Sequence, residues 1–169
     1  MDPAFANALR DSAPVRCLGV SLVPLTLGHF FLLRQFDSSF VAGSEASIED
    51  LILGCYVCCQ DSESARRGLR SILLPIVMRM WGRRARRSNL ALDMLAFRRY
   101  IKDGTTAPST VISHGSGDSM RELNSPVEWR LLVMLMVDFH LTEAEALTMP
   151  MVKANVLWAT LGDRDGKVQ

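Results

Sequence analysis

The sequence predicts an all-α protein: a single compact bundle of about six helices with a C-terminal helical hairpin and one long flexible loop. Three observations predict it. Apolar residues recur at helical spacing in successive segments, capping residues stand directly before several of them, and no two alternating runs pair across a short turn. With 49% of its residues apolar and 22% charged, a chain of 169 residues can build one domain with its own core.

Residues 1–20, interrupted by Pro3 and Pro14, read as a loosely held arm. Residues 21–104 form the helical core with a basic middle. Its first main helix has Pro24 in the opening turn, where a missing N–H costs nothing, and ends near Phe36. Leu25, Leu32, Leu33 and Phe36 share one side, while Leu27, Phe30 and Phe31 fall on the other, so the helix seeks cover on more than one face. After Gly43, Ser47 and Asp50 make a capping box for a second helix, apolar on both sides, with Ile48, Leu51, Ile52, Cys55 and Cys59 opposite Leu53 and Val57. From Ser62 to Arg87 the helical spacing continues, and Pro75 should kink the run or divide it. Ser88 caps a further helix that Gly104 closes.

Residues 105–124, rich in Thr, Ser and Gly, read as the flexible loop. Residues 125–169 form the hairpin, packed on the same domain. Ser125, Pro126 and Glu128 signal the first helix start, Thr142 and Glu145 form a second capping box, and Met149-Pro150 opens a final helix ended by Gly162 and Gly166.

The net charge is +1, unevenly spread. Arg66 to Lys102 holds eleven Arg or Lys residues against the single acid Asp93, so the ends are acidic. These arginines project in several directions and alternate with Leu, Ile, Met and Trp81, which fits an amphipathic face better than a groove reader of DNA. Arg79, Arg83, Arg84, Arg86 and Arg87 carry the alternative of a nucleic-acid-associated protein. The helix, turn and helix from Arg130 to Leu161 read as a packed hairpin, because the last helix offers only Lys153 and Asn155 to a nucleic acid.

No catalytic or phosphate-binding motif is present, and the chain reads as a non-enzyme without cofactor. Cys55, Cys58 and Cys59 lie inside an apolar helix and read as small buried groups, not as metal ligands or a disulfide framework. The uncharged run between Arg16 and Arg34 contains Pro24, Gly28 and His29, which argues against a membrane span. A cytoplasmic protein fits this usage. More apolar helix is present than one small domain easily hides, and nine methionines suit gap filling in a core by default and also an adaptable partner surface.

The run LTLGHFFLLRQFDSSFVAG followed by IEDLILGCYVCCQ resembles small phage and prophage tail assembly chaperones. Leu27, Gly28, His29, Leu32 and Leu33, then Ser39, Phe40 and Val41, then Asp50 and Cys58 carry the likeness. Near the other end LTMPMVKANVLWATLGDRDGKV is similar to the group's Met-Pro element, through Met149, Pro150, Trp158, Asp163 and Gly166. Ser38-Ser39 stands where the group commonly has Ser-Pro, and the arginine-rich middle is a departure. The resemblance implies a protein of the bacterial host cytoplasm that binds the tape measure protein and keeps it soluble while tail tube subunits collect. Leu27, Gly28, His29, Phe31, Phe40, Met149, Pro150 and Trp158 are the expected partner-binding residues. Tail tube protein and a second copy of the chain remain further candidate partners.

Overall fold

Side chains that cap their own backbone start most of the helices. A computed structural model describes residues 14–106 and 126–164, in which a two-stranded hairpin precedes nine helices. The hairpin pairs β1 (Arg16–Cys17) with β2 (Val20–Ser21) in antiparallel register. In α1 (Leu27–Gln35) the Thr26 hydroxyl accepts from the backbone N–H of His29, and the His29 ring accepts from the backbone of Thr26. Histidine thus takes the place that Glu or Gln holds in the usual capping box.

The short α2 (Ser39–Ala42) ends on Gly43 in the left-handed region, at φ 75°. Ser47 and Asp50 form the expected box for α3 (Ile48–Cys58), and Asp61 caps α4 (Ser62–Leu69). Pro75 lies in the first turn of α5 (Leu74–Ala85), so it separates two helices instead of bending one. Then come α6 (Leu90–Thr105), α7 (Val127–Val137), α8 (Glu143–Thr148) under its Thr142–Glu145 box, and α9 (Met151–Arg164).

Several expectations change. Thr26, not Pro24, sets the start of α1, because only the threonine offers an acceptor to the free N–H groups. Asn89, not Ser88, caps α6, its Oδ1 accepting from Leu92 at 3.3 Å, and the helix runs past Gly104. Gly162 does not stop α9. Strand pairing, not expected, occurs at Arg16–Ser21, across the boundary between the stretch read as a loose arm and the helical core. Leu18 and Gly19 both have positive φ, 49° and 71°, the type I′ turn that matches strand twist. A leucine there is strained; its N–H donates to Asp93 Oδ1 at 3.0 Å and its side chain is fully buried, which holds it in place. Residues 1–13 of the expected arm, 107–124 of the expected loop, the Ser125 cap and Gly166 lie outside the described residues.

The apolar segment that opens the core is enclosed by the chain itself. α1 packs against α2, α3, α4, α7 and α8, which buries Leu25, Leu27, Leu32 and Leu33 and leaves Phe30 and Phe31 half-buried and Phe36 exposed. Leu51, Cys55, Val57 and Cys58 of α3 meet Phe97, Tyr100 and Ile101 of α6 and Leu131, Leu132 and Leu135 of α7 in the same core. The Tyr100 hydroxyl donates to the Val23 carbonyl at 2.8 Å, so this buried phenol is satisfied. α5 lies on α3, with Trp81 edge-on to Tyr56 at 6.1 Å between ring centres. Among the described residues no helix is long and apolar enough to cross a membrane.

Candidate functional site

Two stretches far apart in sequence are stitched together by their backbones. The Leu27 N–H donates to the Met149 carbonyl at 3.0 Å, and the Met151 N–H donates to the Leu25 carbonyl at 2.8 Å, around a bridge between Thr26 and Pro150. The start of α1 is thereby fixed against the end of α8. Gly28 then faces α4 and α8 with no room for a side chain: a Cβ there would sit 2.6 Å from Ser62 Oγ and 2.9 Å from the Leu147 carbonyl oxygen.

Above Gly28 a groove of about 590 Å³ opens between α1, α4, α7 and α8. Phe31, Leu32, Trp129, Leu132 and Leu147 contribute its apolar lining, and Glu63, Arg66 and Glu143 its charged groups. Phe31 and Trp129 stand edge to face with centroids 5.0 Å apart. Beside them Arg34 Nε reaches Glu128 Oε1 at 3.2 Å, tying the end of α1 to the start of α7. Arg66 binds Glu63 through two nitrogens at 2.9 and 3.1 Å, and this pairing lowers the Glu63 carboxyl and raises the guanidinium.

Trp129 is 51% exposed and begins an open apolar stripe: Val133, Met136 and Val137 follow at i+4, i+7 and i+8 on α7, all exposed. The stripe spans about 12 Å at 1.5 Å per residue. Most of the surplus apolar surface therefore lies on α7, on the α5 region (Ile72, Leu73, Ile76, Met80) and on α6 (Leu92, Leu95), whereas α1 and α3 leave only Phe36 and Ile48 exposed at their ends. Val57 is enclosed, Phe30, Phe31 and Met134 are half-buried, and a nonpolar trough stays open.

The expected partner-binding residues separate accordingly. Leu27 and His29 are buried and act inside the molecule, whereas Gly28 forms the groove's floor and Phe31 its wall. His29 Nε2–H donates to the Gln60 carbonyl at 2.8 Å while Nδ1 accepts from the Thr26 N–H, which fixes a neutral tautomer. Burial lowers its pKa, opposed by the Gln60 bond and by the Asp61 charge. Phe40 packs edge-on to Phe97 at 4.7 Å and borders a second hollow of about 350 Å³ that holds Arg98 and Lys102. Met149 is half-buried, Pro150 is exposed, and Trp158 on α9 is 40% exposed without lining the groove.

Arg79, Arg83, Arg84, Arg86 and Arg87 are all exposed and enter none of the ion pairs among the described residues, which join Arg34 to Glu128, Arg66 and Arg67 to Glu63, and Arg99 to Asp103. Arg84 lies 5.6 Å from the centre of the Trp81 ring. Of the cysteines, Cys17, Cys55 and Cys58 are fully buried, and the Cys55 thiol donates to Cys17 Sγ at 3.1 Å. The Cys17 bond and burial raise the Cys55 thiol, and burial pushes Cys58 up to about 12, so both stay protonated. No group of three or more His, Cys, Asp or Glu among the described residues could hold a metal ion.

Sequence reasoning missed Trp129, Leu132, Leu147 and the Glu63, Arg66 and Glu143 side chains. The signal for Trp129 was its place one turn before Val133 in a helix with no charge from Leu131 to Val137. No protein-family model matches the chain, and neither curated proteins nor solved structures give a match.

Proposed function

We propose that this protein is a non-enzymatic, tail-assembly-chaperone-like binder of an apolar helical client, the tape measure protein of its own tail system. The client's apolar ridge enters the groove over Gly28 and continues along the α7 stripe. The observation that carries this is the continuity of the two at Trp129, which walls the groove and also begins the stripe. An amphipathic helix matches such a surface, with anchors spaced at i, i+4 and i+7. Glu63, Arg66 and Glu143 supply charges of both signs that select its register. The likeness of the Leu-Gly-His run and the Met-Pro element to tail assembly chaperones supports the choice of client, and Leu27 and Met149 bring those two elements into contact.

Co-expression tests it. Soluble tape measure protein should rise with the wild-type chain and fall back with Trp129→Asp, while circular dichroism of the purified variant keeps its helical signal. A folded Trp129→Asp variant that solubilises the client as well as wild type would refute the groove.

A further inference from the structure

The α5 region carries a second open face with its own chemistry. Ile76 and Met80 stand one turn apart on α5, and Ile72 and Leu73 lie exposed in the turn just before it, Ile72 being 89% exposed. Arg79 and Arg83 stand one turn apart in the adjacent row of α5 and Arg87 follows just past the helix end, so this side is apolar toward the start of the helix and basic toward its end. The opposite face is occupied: Ala85 is buried and Trp81 stands against Tyr56 of α3. No α5 residue lines the groove over Gly28.

We propose that this face docks an acidic amphipathic helix of a partner protein, its apolar ridge on Ile72, Ile76 and Met80 and its carboxylates on Arg79, Arg83 and Arg87. Charge complementarity selects the occupant. The sequence contains no Asp or Glu from Ser64 to Leu92, so a second copy of this face brings no carboxylate to the arginines. A nucleic acid would satisfy the arginines and leave four large apolar side chains against phosphate and water. A helix lying in a bilayer keeps apolar and basic residues on opposite faces; here Arg79 and Arg83 share the stripe of Ile76 and Met80 and would be carried into the acyl layer with them. An acidic helix gives both rows a partner at once. The proposal stands apart from the client groove and does not depend on it.

The test uses the full chain and a fluorescein-labelled synthetic helix with leucines at i, i+4 spacing in one half and glutamates in the other. The same peptide with lysines in place of the glutamates is the control. The glutamate peptide should bind and the lysine peptide should not. Kd should rise about tenfold or more in Arg83→Glu and, separately, in Ile76→Ser, with added salt weakening the wild-type complex. Both substitutions are at exposed positions, and unchanged circular dichroism would confirm folded variants. Equal affinity for the two peptides would overturn the proposal. So would failure of the glutamate peptide, whether phosphatidylglycerol vesicles, a DNA duplex or self-association removed by Ile76→Ser appears in its place.

Discussion

The backbone N–H of Leu27 donates to the carbonyl of Met149, 3.0 Å away, and this bond joins the first turn of α1 to the end of α8. Because the Met151 N–H donates in turn to the Leu25 carbonyl, the two segments form a short antiparallel clasp around Thr26 and Pro150. The groove's floor is therefore part of the core and not a loop. Its shape depends on Gly28, which lies next to the clasp.

Gly28→Ala should destabilise the fold by about 1–3 kcal/mol, because the new methyl meets Ser62 and the Leu147 carbonyl and α8 must move. Chemical denaturation reads the loss. Adding Ser62→Gly should recover only part of it, since the Leu147 backbone oxygen stays 2.9 Å from the added Cβ. Full recovery would show that the backbone is not the obstacle.

His29 makes stability depend on pH. Its folded pKa is lowered from 6.5 by burial, so the unfolded chain binds the proton more readily. The contribution is complete above about pH 6.5 and is lost as pH falls below that value, with a slope of at most about 1.4 kcal/mol per pH unit for one group. His29→Gln should flatten this part of the curve in urea titrations from pH 7.5 to 5.5, at a cost in overall stability. An unchanged slope would mean that another group titrates there.

Phe97 is the largest fully buried side chain and touches Phe40, Tyr100 and the space over Gly54, where a Cβ would meet its ring at 2.5 Å. Phe97→Ala should cost about 3–5 kcal/mol. Gly54→Ala should also destabilise, by crowding the same ring, and combining it with Phe97→Leu should cost less than the sum of the two. Strict additivity in denaturation midpoints would argue that the ring does not fill that space.

The helices were legible because their start signals are local. Ser47 with Asp50 and Thr142 with Glu145 cap within one turn, so three residues of context suffice. His29 in the glutamate position of a capping box was not legible, since its role depends on the Gln60 carbonyl, 31 residues away. The same limit hid the groove. Phe31 and Gly28 could be singled out as apolar and small, but Trp129 becomes their neighbour only when α7 folds back on α1. Counting apolar helix faces located a surplus without saying where it would stay open: residues 25–36, 48–60 and 129–139 are all apolar nearly all round, and packing buries most of the first two while leaving Trp129, Val133, Met136 and Val137 of the third exposed.

Cross-linking from α7 tests the groove most directly. A benzophenone amino acid placed at Val133, in the exposed stripe, should form a covalent adduct with the tape measure protein on irradiation of the co-expressed pair. The same group at Glu49, exposed at the start of α3 and outside the groove, should form none. Adducts from Glu49 with none from Val133 would contradict a client seated along Trp129 and its stripe.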